Sequence, residues 1–318
     1  MPETTIIIVS YNGLHETTAP CLESIFSCGA QSDFEVVVVD NCSSDGTAAY
    51  LAAMMKKEPR LRVVFNEANH GFAGGNNDGL RIASGDTLIL LNSDCIVTKN
   101  WIEKLRAPLQ QDPAVGLTGP VSNSVGNEQK IFTRGATREE IMEEGLAWVS
   151  NSNGASFDTD MLSFFCVAMR RDVFDRVGVL DERFGLGFYE DDDYCIRVRL
   201  AGYRLICVED VFVYHCGGGS FGRLPQGTRK MMKDNRRKLE TKHLPHTRIH
   251  PRDLQLQVME GYLRQASREG FTPHLQFRVS NRFKEMESRM PRGIFKKWAF
   301  RQRLHRLKVR FRQYGYEP

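Results

Sequence analysis

Leu90-Leu91-Asn92-Ser93-Asp94 ends an apolar run in a carboxylate, and Glu190-Asp191-Asp192-Asp193 sets four acids side by side ahead of a helical pattern. Four adjacent carboxylates repel one another, so such a cluster costs stability unless a cation or a catalytic task compensates. A strand-end carboxylate plus a later acidic cluster suits an enzyme that holds a metal–phosphate and also needs a base. Asp94 can give one oxygen to Mg2+ or Mn2+, ions that keep open positions for diphosphate oxygens. His215, in Val213-Tyr214-His215-Cys216-Gly217, is a second candidate ligand, and its imidazole suits Mn2+ better than Mg2+. Within the acidic cluster, crowding raises the proton affinity of one member and yields a base usable near neutral pH. Asp193 is expected to cap the helix, which leaves Asp191 or Asp192 to face the site beside Glu190. Each piece also has a plain structural use, as an Asx turn, a lone core histidine or a helix N-terminus. A helix start accounts for one or two acids, not four.

The elements that must position these groups are short β-branched runs at 5–10, 34–40, 61–66 and 87–91, each followed by polar residues. Helical patterns separate them, at 16–28, from Gly46 to about Lys57, and near 77–84. A further strand and a loop are expected over 114–124, with 122–129 polar and irregular, then strands at 161–170 and 204–214 and helices at 139–150 and 172–177. Strands alternating with helices imply an α/β protein with a doubly wound, mostly parallel sheet. Ligands in such sheets bind at the carboxyl ends of strands, where Tyr11-Asn12, Asp40-Asn41 and Asn92-Ser93-Asp94 all fall. The stretch Asn69-His70-Gly71-Phe72-Ala73-Gly74-Gly75-Asn76-Asn77 lacks GxGxxG spacing. It is read as a loop that lets backbone approach a ligand, with Asn76 or Asn77 as hydrogen-bonding groups.

Taken in order, Val9-Ser10-Tyr11-Asn12, Val39-Asp40-Asn41 with Ser44-Asp45-Gly46-Thr47, Gly71-Phe72 with Asn76-Asn77, Gly85-Asp86 leading to Leu91-Asn92-Ser93-Asp94, and Glu190-Asp191 with Asp193 resemble glycosyltransferase family 2. The likeness covers about residues 4–220 and is nearest to rhamnosyltransferase-like members that build bacterial surface polysaccharides. The resemblance implies a GT-A fold, a nucleotide-diphosphate sugar donor and inversion at the anomeric centre. It implies that Ser10 or Tyr11 and Asp40 lie against the nucleotide base. It also implies that Asp94 is the last acid of a DxD metal motif, that His215 completes the metal's coordination, and that Asp191 is the catalytic base. Two positions depart from the pattern: the DxD place reads Asn92-Ser93-Asp94, and Asp40 is followed by Asn41 rather than a second acid. Both departures bear on metal affinity rather than fold.

The 318 residues suffice for one large domain with an appendage. The expected division is a catalytic domain over 1–222, with a nucleotide-binding half to about residue 95 and an acceptor half over 96–222, followed by a basic helical region over 223–318. The net charge of +4 hides an asymmetry: from Arg223 onward 25 Lys and Arg accompany 8 Asp and Glu, whereas the first 222 residues hold 18 and 31. Eight scattered cysteines without a CxxC pair predict a reducing cytosol and no zinc site. No basic start precedes the first strand and no apolar run approaches the ~20 residues of a bilayer span. The expectation is a cytoplasmic protein, soluble or peripheral on the inner face of the membrane.

Phe300, Leu304, Leu307 and Phe311 form one helical stripe amid Arg and Lys, with Trp298 nearby. Such a helix lies on anionic lipid or packs on protein, and the sequence leaves both open. No nucleic-acid module is recognisable. Two competing functions carry sequence signatures of their own. A nucleotidyltransferase needs a basic phosphate loop, and Val9-Ser10-Tyr11-Asn12-Gly13 has no Lys or Arg. An inactive nucleotide-sugar-binding scaffold needs none of the acids kept at Asp94 and Asp191.

Overall fold

The computed structural model describes residues 2–28, 33–217, 227–244 and 251–317. The strand β1 (Thr4–Ser10) carries isoleucine at three consecutive positions, all buried, which requires cover on both sheet faces. It pairs in parallel with β2 (Phe34–Asp40) on one side and β4 (Thr87–Asn92) on the other, and β2 pairs with β3 (Leu61–Phe65). The helices α1 (Ala19–Cys28), α2 (Thr47–Met55) and α3 (Gly71–Ile82) form the intervening crossovers. Beyond β4 the sheet continues through β8 (Cys166–Arg170), β6 (Val115–Val121), β9 (Arg204–Phe212) and β7 (Ser156–Thr159), giving the order β3-β2-β1-β4-β8-β6-β9-β7. Only β8 and β7 run antiparallel to their neighbours. The doubly wound, mostly parallel α/β sheet expected from the sequence is therefore present.

Ile6, Ile8, Val36 and Val38 face one core with Leu22 of α1 and Trp101 and Leu105 of α4 (Trp101–Gln111). Ile7, Leu88 and Leu90 face the other with Leu80, Trp148 of α5 (Arg138–Ser150), and Tyr194 and Val198 of a later helix. The short helix α6 (Arg171–Val177) follows β8. Register sets Ser10 beside Asp40 and Val9 beside Asn92, so the carboxyl ends of three strands form one rim.

The glycine-rich stretch is not a loop. It is already helix α3, and its glycines serve contact between helix and sheet. A Cβ at Gly79 would meet Ile7 Cγ2 at 2.4 Å, and one at Gly75 would meet Val9 at 2.8 Å. The strand expected at 161–170 is confined to its last five residues.

The expected domain boundary at Gly222 and Arg223, and the glycines Gly218 and Gly219 before it, lie outside the described residues. Beyond it, α8 (Thr228–Lys242), α9 (Pro251–Glu269), α10 (Pro273–Ser288) and α11 (Ile294–Arg312) follow. The apolar stripe of α11 is buried: Phe300, Leu304, Leu307 and Phe311 pack with Met259, Tyr262 and Phe283 of α9 and α10. That stripe is therefore closed to lipid. The helices are joined to the sheet by a desolvated ionic group. Glu209 of β9 accepts from Arg278 Nη1 at 2.8 Å, from Arg282 Nη2 at 2.9 Å and from the Tyr262 hydroxyl. A buried acid between two guanidinium groups meets the requirement that interior charges be paired and hydrogen-bonded.

Candidate active site

After β4 the chain turns at Asn92-Ser93-Asp94 into β5 (Cys95–Ile96), which pairs antiparallel with β10 (Tyr214–His215), His215 opposite Cys95. This two-residue ladder brings His215, 121 positions away, against Asp94: Nε2 lies 3.2 Å from Oδ1. The ring is fixed from three sides. Nδ1 lies 2.7 Å from the Ser124 carbonyl oxygen, which can only accept. Asn123 accepts from the His215 backbone N–H at 2.9 Å and donates to its carbonyl at 3.0 Å, while Phe165 stacks on the ring at 5.3 Å. With Nδ1 carrying the proton, a neutral imidazole points its Nε2 lone pair at a carboxylate oxygen. Two acceptors at that distance need a cation or a proton between them. Burial alone would lower the His215 pKa, but the hydrogen bond and charge of Asp94 outweigh it and raise it. A divalent ion at the same place fits this one-oxygen, one-nitrogen donor set. Cys95 lies close enough to join them, but its sulfur is fully buried and burial, with the Asp94 charge, pushes its pKa well up. It remains a protonated core thiol.

The acidic cluster opens α7 (Glu190–Leu200), and the structure gives its four members different surroundings. Asp193 does not cap the helix: Tyr189 occupies that place, at φ 77°. Asp193 instead turns inward, with Arg197 Nε at 2.9 Å, Lys242 Nζ at 2.6 Å and His243 Nε2 at 2.7 Å. Burial would raise its pKa, but these hydrogen bonds and charges hold it below the ordinary value. Glu190 is buried with one carboxylate oxygen unpartnered, and desolvation plus the charges of Asp191 and Asp192 raise its pKa to about 8. At neutral pH it is mostly protonated, which relieves the crowding. Asp191 and Asp192 line the cleft.

The approach to α7 is held unusually. Phe188 and Tyr189 both adopt positive φ, a strained choice for bulky residues. The side-chain amide of Asn235, on α8, donates to the carbonyls of Phe184 at 2.7 Å, Gly187 at 3.0 Å and Phe188 at 3.1 Å. Gly71 closes the other side: at φ 72° its Cβ would lie 2.4 Å from the Gly185 carbonyl oxygen, so only glycine fits.

At the carboxyl ends of β1 and β2, the loops that follow are zipped together. Asn12 Oδ1 accepts from the Ser44 N–H at 2.8 Å, and Asp45 accepts from the Leu14 N–H at 3.0 Å. Asp40 is buried, accepts from the Ser43 N–H at 3.3 Å, and has its Oδ1 unpartnered. A buried acceptor of this kind ordinarily has a donor.

One cleft of about 750 Å³ is lined by Tyr11, Asn92, Ser93, Asp94, Glu190, Asp191, Asp192 and His215 together. Five expected donor-binding residues are not on its wall. Ser10 is fully buried and bonds Thr18 at 2.8 Å. Asn12 ties loop to loop. Asn76 donates to the Phe72 carbonyl within its own helix at 2.8 Å. Asn77 is committed to Leu180 and Glu182, donating at 3.0 and 2.8 Å. Asn76 and Asn77 were expected on a loop, and a helix that packs on the sheet points them into protein. Asp40 also stands behind the wall rather than on it. Sequence reasoning missed Asn123, Ser124, Phe165 and Asn235, and also Met232 of α8, which lines the cleft. Only the irregular, polar character of 122–129 hinted at the first two.

Residues 5–178 match the family model for glycosyl transferase family 2. The succinoglycan biosynthesis protein ExoO of Rhizobium meliloti is 24% identical over 296 residues, covering 91% of this chain and 76% of that protein. A longer, uncharacterized relative from Sinorhizobium fredii is spanned over only 25% of its length. Among solved structures, GalNAc-T7 with UDP, GalNAc and Mn2+ aligns at a TM-score of 0.61 and 16% identity, covering all of this chain and 59% of that one. The mannosyltransferase PcManGT of Pyrobaculum calidifontis, with GDP-Man and Mn2+, aligns at 0.51 and 18% identity, covering all of this chain and 77% of that one. These likenesses show the GT-A fold. With the matched span exceeding half its length, the chain belongs to glycosyltransferase family 2.

Proposed function

We propose that the protein is an inverting, metal-dependent glycosyltransferase that moves a sugar from a nucleotide-diphosphate sugar to a hydroxyl of a glycan or lipid-linked glycan. The observation that carries this reading is the presence of Asp94, His215 and Asp191 on the wall of one cleft. Asp94 and His215 would hold Mn2+ or Mg2+, the nitrogen ligand favouring Mn2+. Such an ion supplies neutralisation of the diphosphate leaving group. Tyr11, Asn92 and Ser93 line the donor side, with Asp40 buried behind them. Asp191 takes the proton of the acceptor hydroxyl as that oxygen attacks the anomeric carbon from the face opposite the diphosphate. The sugar–phosphate bond breaks and the electron pair leaves with the diphosphate. Protonated Glu190 keeps a third negative charge away from Asp191, and Asp192 supports the acceptor.

In this reading residues 1–95 bind the nucleotide, 96–222 receive the acceptor and 223–318 brace the cleft. The place of work is surface polysaccharide assembly at the cytoplasmic face of the membrane. Similarity to a succinoglycan biosynthesis protein supports it, and no described helix is long and apolar enough to cross a bilayer. Which nucleotide and sugar are used is tested by hydrolysis of UDP-, GDP- and dTDP-sugars with Mn2+, with and without EDTA. Metal-dependent release of one nucleoside diphosphate is the expected result. Release indifferent to EDTA would overturn the metal assignment.

A further inference from the structure

We infer that the first two turns of α11 are a docking surface for an anionic bilayer, on the side of the helix opposite the stripe it buries. Ile294, Phe295 and Trp298 are 85%, 88% and 63% exposed, and Ile294 and Phe295 are the two most exposed large hydrophobic residues of the described chain. On a helix of 3.6 residues per turn, Phe295, Trp298, His305 and Val309 share one face, while Phe300, Leu304, Leu307 and Phe311 share the other. Val309 is also exposed. Two bulky aromatic residues held in water at a helix start are costly unless something apolar covers them.

Charge identifies the cover. Between Glu287 and Glu317 the chain has no acidic residue and ten Lys or Arg. Arg303, Lys308 and Arg310 are paired with acids of α9 and α10, but Arg292, Lys296, Lys297 and Arg301 have no ion pair among the described residues. A second copy docked through the same helix would bring like charge against like charge. An anionic lipid surface attracts the same set, and exposed Trp and Phe settle at the headgroup boundary.

A seat for a headgroup lies alongside. A cavity of about 660 Å³ between α9, α10 and the start of α11 is lined by Arg252, Arg289, Arg292 and Lys296, and by Glu285, whose charge is met by Arg289 at 2.6 Å and Lys130 at 3.4 Å. Gln255 lines it as well, and its Nε2 is buried without a hydrogen-bond partner, a donor suited to a phosphate oxygen. The same cavity shares a lining residue with the cleft. Gly126 borders both, and Arg289 donates to the carbonyls of Val125 at 2.6 Å and Gly126 at 3.2 Å, next to the Ser124 that holds His215. A bilayer seated here places its headgroup plane beside the cleft, which rests on the transferase reading only for its purpose and not for its physics.

The test needs no sugar transfer, so its outcome is independent of that reading. Trp101 and Trp148 are fully buried, leaving Trp298 as the reporter of the surface. The full chain is mixed with phosphatidylcholine vesicles, with or without phosphatidylglycerol, or with inorganic phosphate alone. Expected are co-flotation and a blue shift of tryptophan emission with phosphatidylglycerol vesicles only, both weakening as salt rises. Arg292→Gln with Lys296→Gln should weaken partition about twenty-fivefold, at about fivefold per cation. Ile294→Ser with Phe295→Ser should abolish the shift. These positions are exposed, and unchanged thermal melts will show that the variants fold. Unchanged partition in either pair, equal shifts with neutral vesicles, or burial of Trp298 by self-association without lipid would each overturn the proposal. So would phosphate alone reproducing the shift.

Discussion

Lys242 Nζ lies 2.6 Å from Asp193 Oδ1, so the helix that carries the acidic cluster is bolted to the last residue of α8, 49 positions away. The bond is one of three on a carboxylate with no solvent exposure, the others coming from Arg197 and His243.

Asp193→Ala strands three cationic or donor groups at once. Breaking a buried ion pair from one side costs about 3–5 kcal/mol, and a loss of that size is expected in urea unfolding. The exposed pair Arg236–Glu240 on α8 serves as the comparison, since removing such a surface pair changes stability by about 0.5 kcal/mol or less. The depressed Asp193 pKa predicts that the stabilisation is present above the unfolded value near 3.8 and is lost as acid titrates the folded carboxylate.

Asp191→Asn keeps the shape of the cleft and removes the proposed base. Turnover should fall roughly 10²–10⁴-fold while Mn2+-dependent binding of the nucleoside diphosphate, measured by calorimetry, stays within about twofold. Asp192→Asn with the larger loss would transfer the role to that residue.

Asn123→Ala removes both hydrogen bonds that fix the His215 backbone. Outer partners of this kind are worth about 10–100-fold in metal affinity, and Mn2+ titration of the variant should show a loss in that range. His215→Ala, which removes a proposed ligand outright, should lose at least as much. Equal Mn2+ affinity in all three proteins would take the ion elsewhere.

Glu190 binds its proton more tightly folded than unfolded, with a pKa of about 8 against a reference of 4.5. Between those values the folded state holds more protons, so stability must fall as pH rises, by at most about 1.4 kcal/mol per pH unit. Below the lower value the difference disappears. Glu190→Gln should flatten that slope and raise the melting temperature at pH 8 relative to the parent protein. A parallel slope in the variant would mean that another group titrates.

Much of the sheet was legible because its strands are buried on both faces and are written as unbroken β-branched runs. Strand β2, Phe-Glu-Val-Val-Val-Val-Asp, is found where expected. The convergence of strand ends followed from topology alone. What misled was glycine. Gly71, Gly75 and Gly79 look like a flexible loop, yet two of them are small because Val9 and Ile7 press against the helix, a fact about partners. Asn76 and Asn77 were misassigned with them. Amphipathicity in α11 could be read as a helix with a buried stripe, but a stripe does not name what it packs on. The Asn235 clasp is likewise invisible in sequence, since a lone polar residue on a basic helix gives no sign of three carbonyls almost fifty residues upstream.

Glu209 projects from β9 with its charge balanced only by groups that arrive more than fifty residues later. A shortened chain ending at 222 would therefore keep a naked anion in the middle of its sheet surface, and replacing it by Gln or Leu becomes a precondition for any minimal catalytic version. Conversely, the helical tail can be transplanted only onto a sheet that offers an acid at the equivalent strand position. Sheet and tail are thus a lock and its fitted key, and swapping either between relatives should preserve solubility only when the matching acid travels with it.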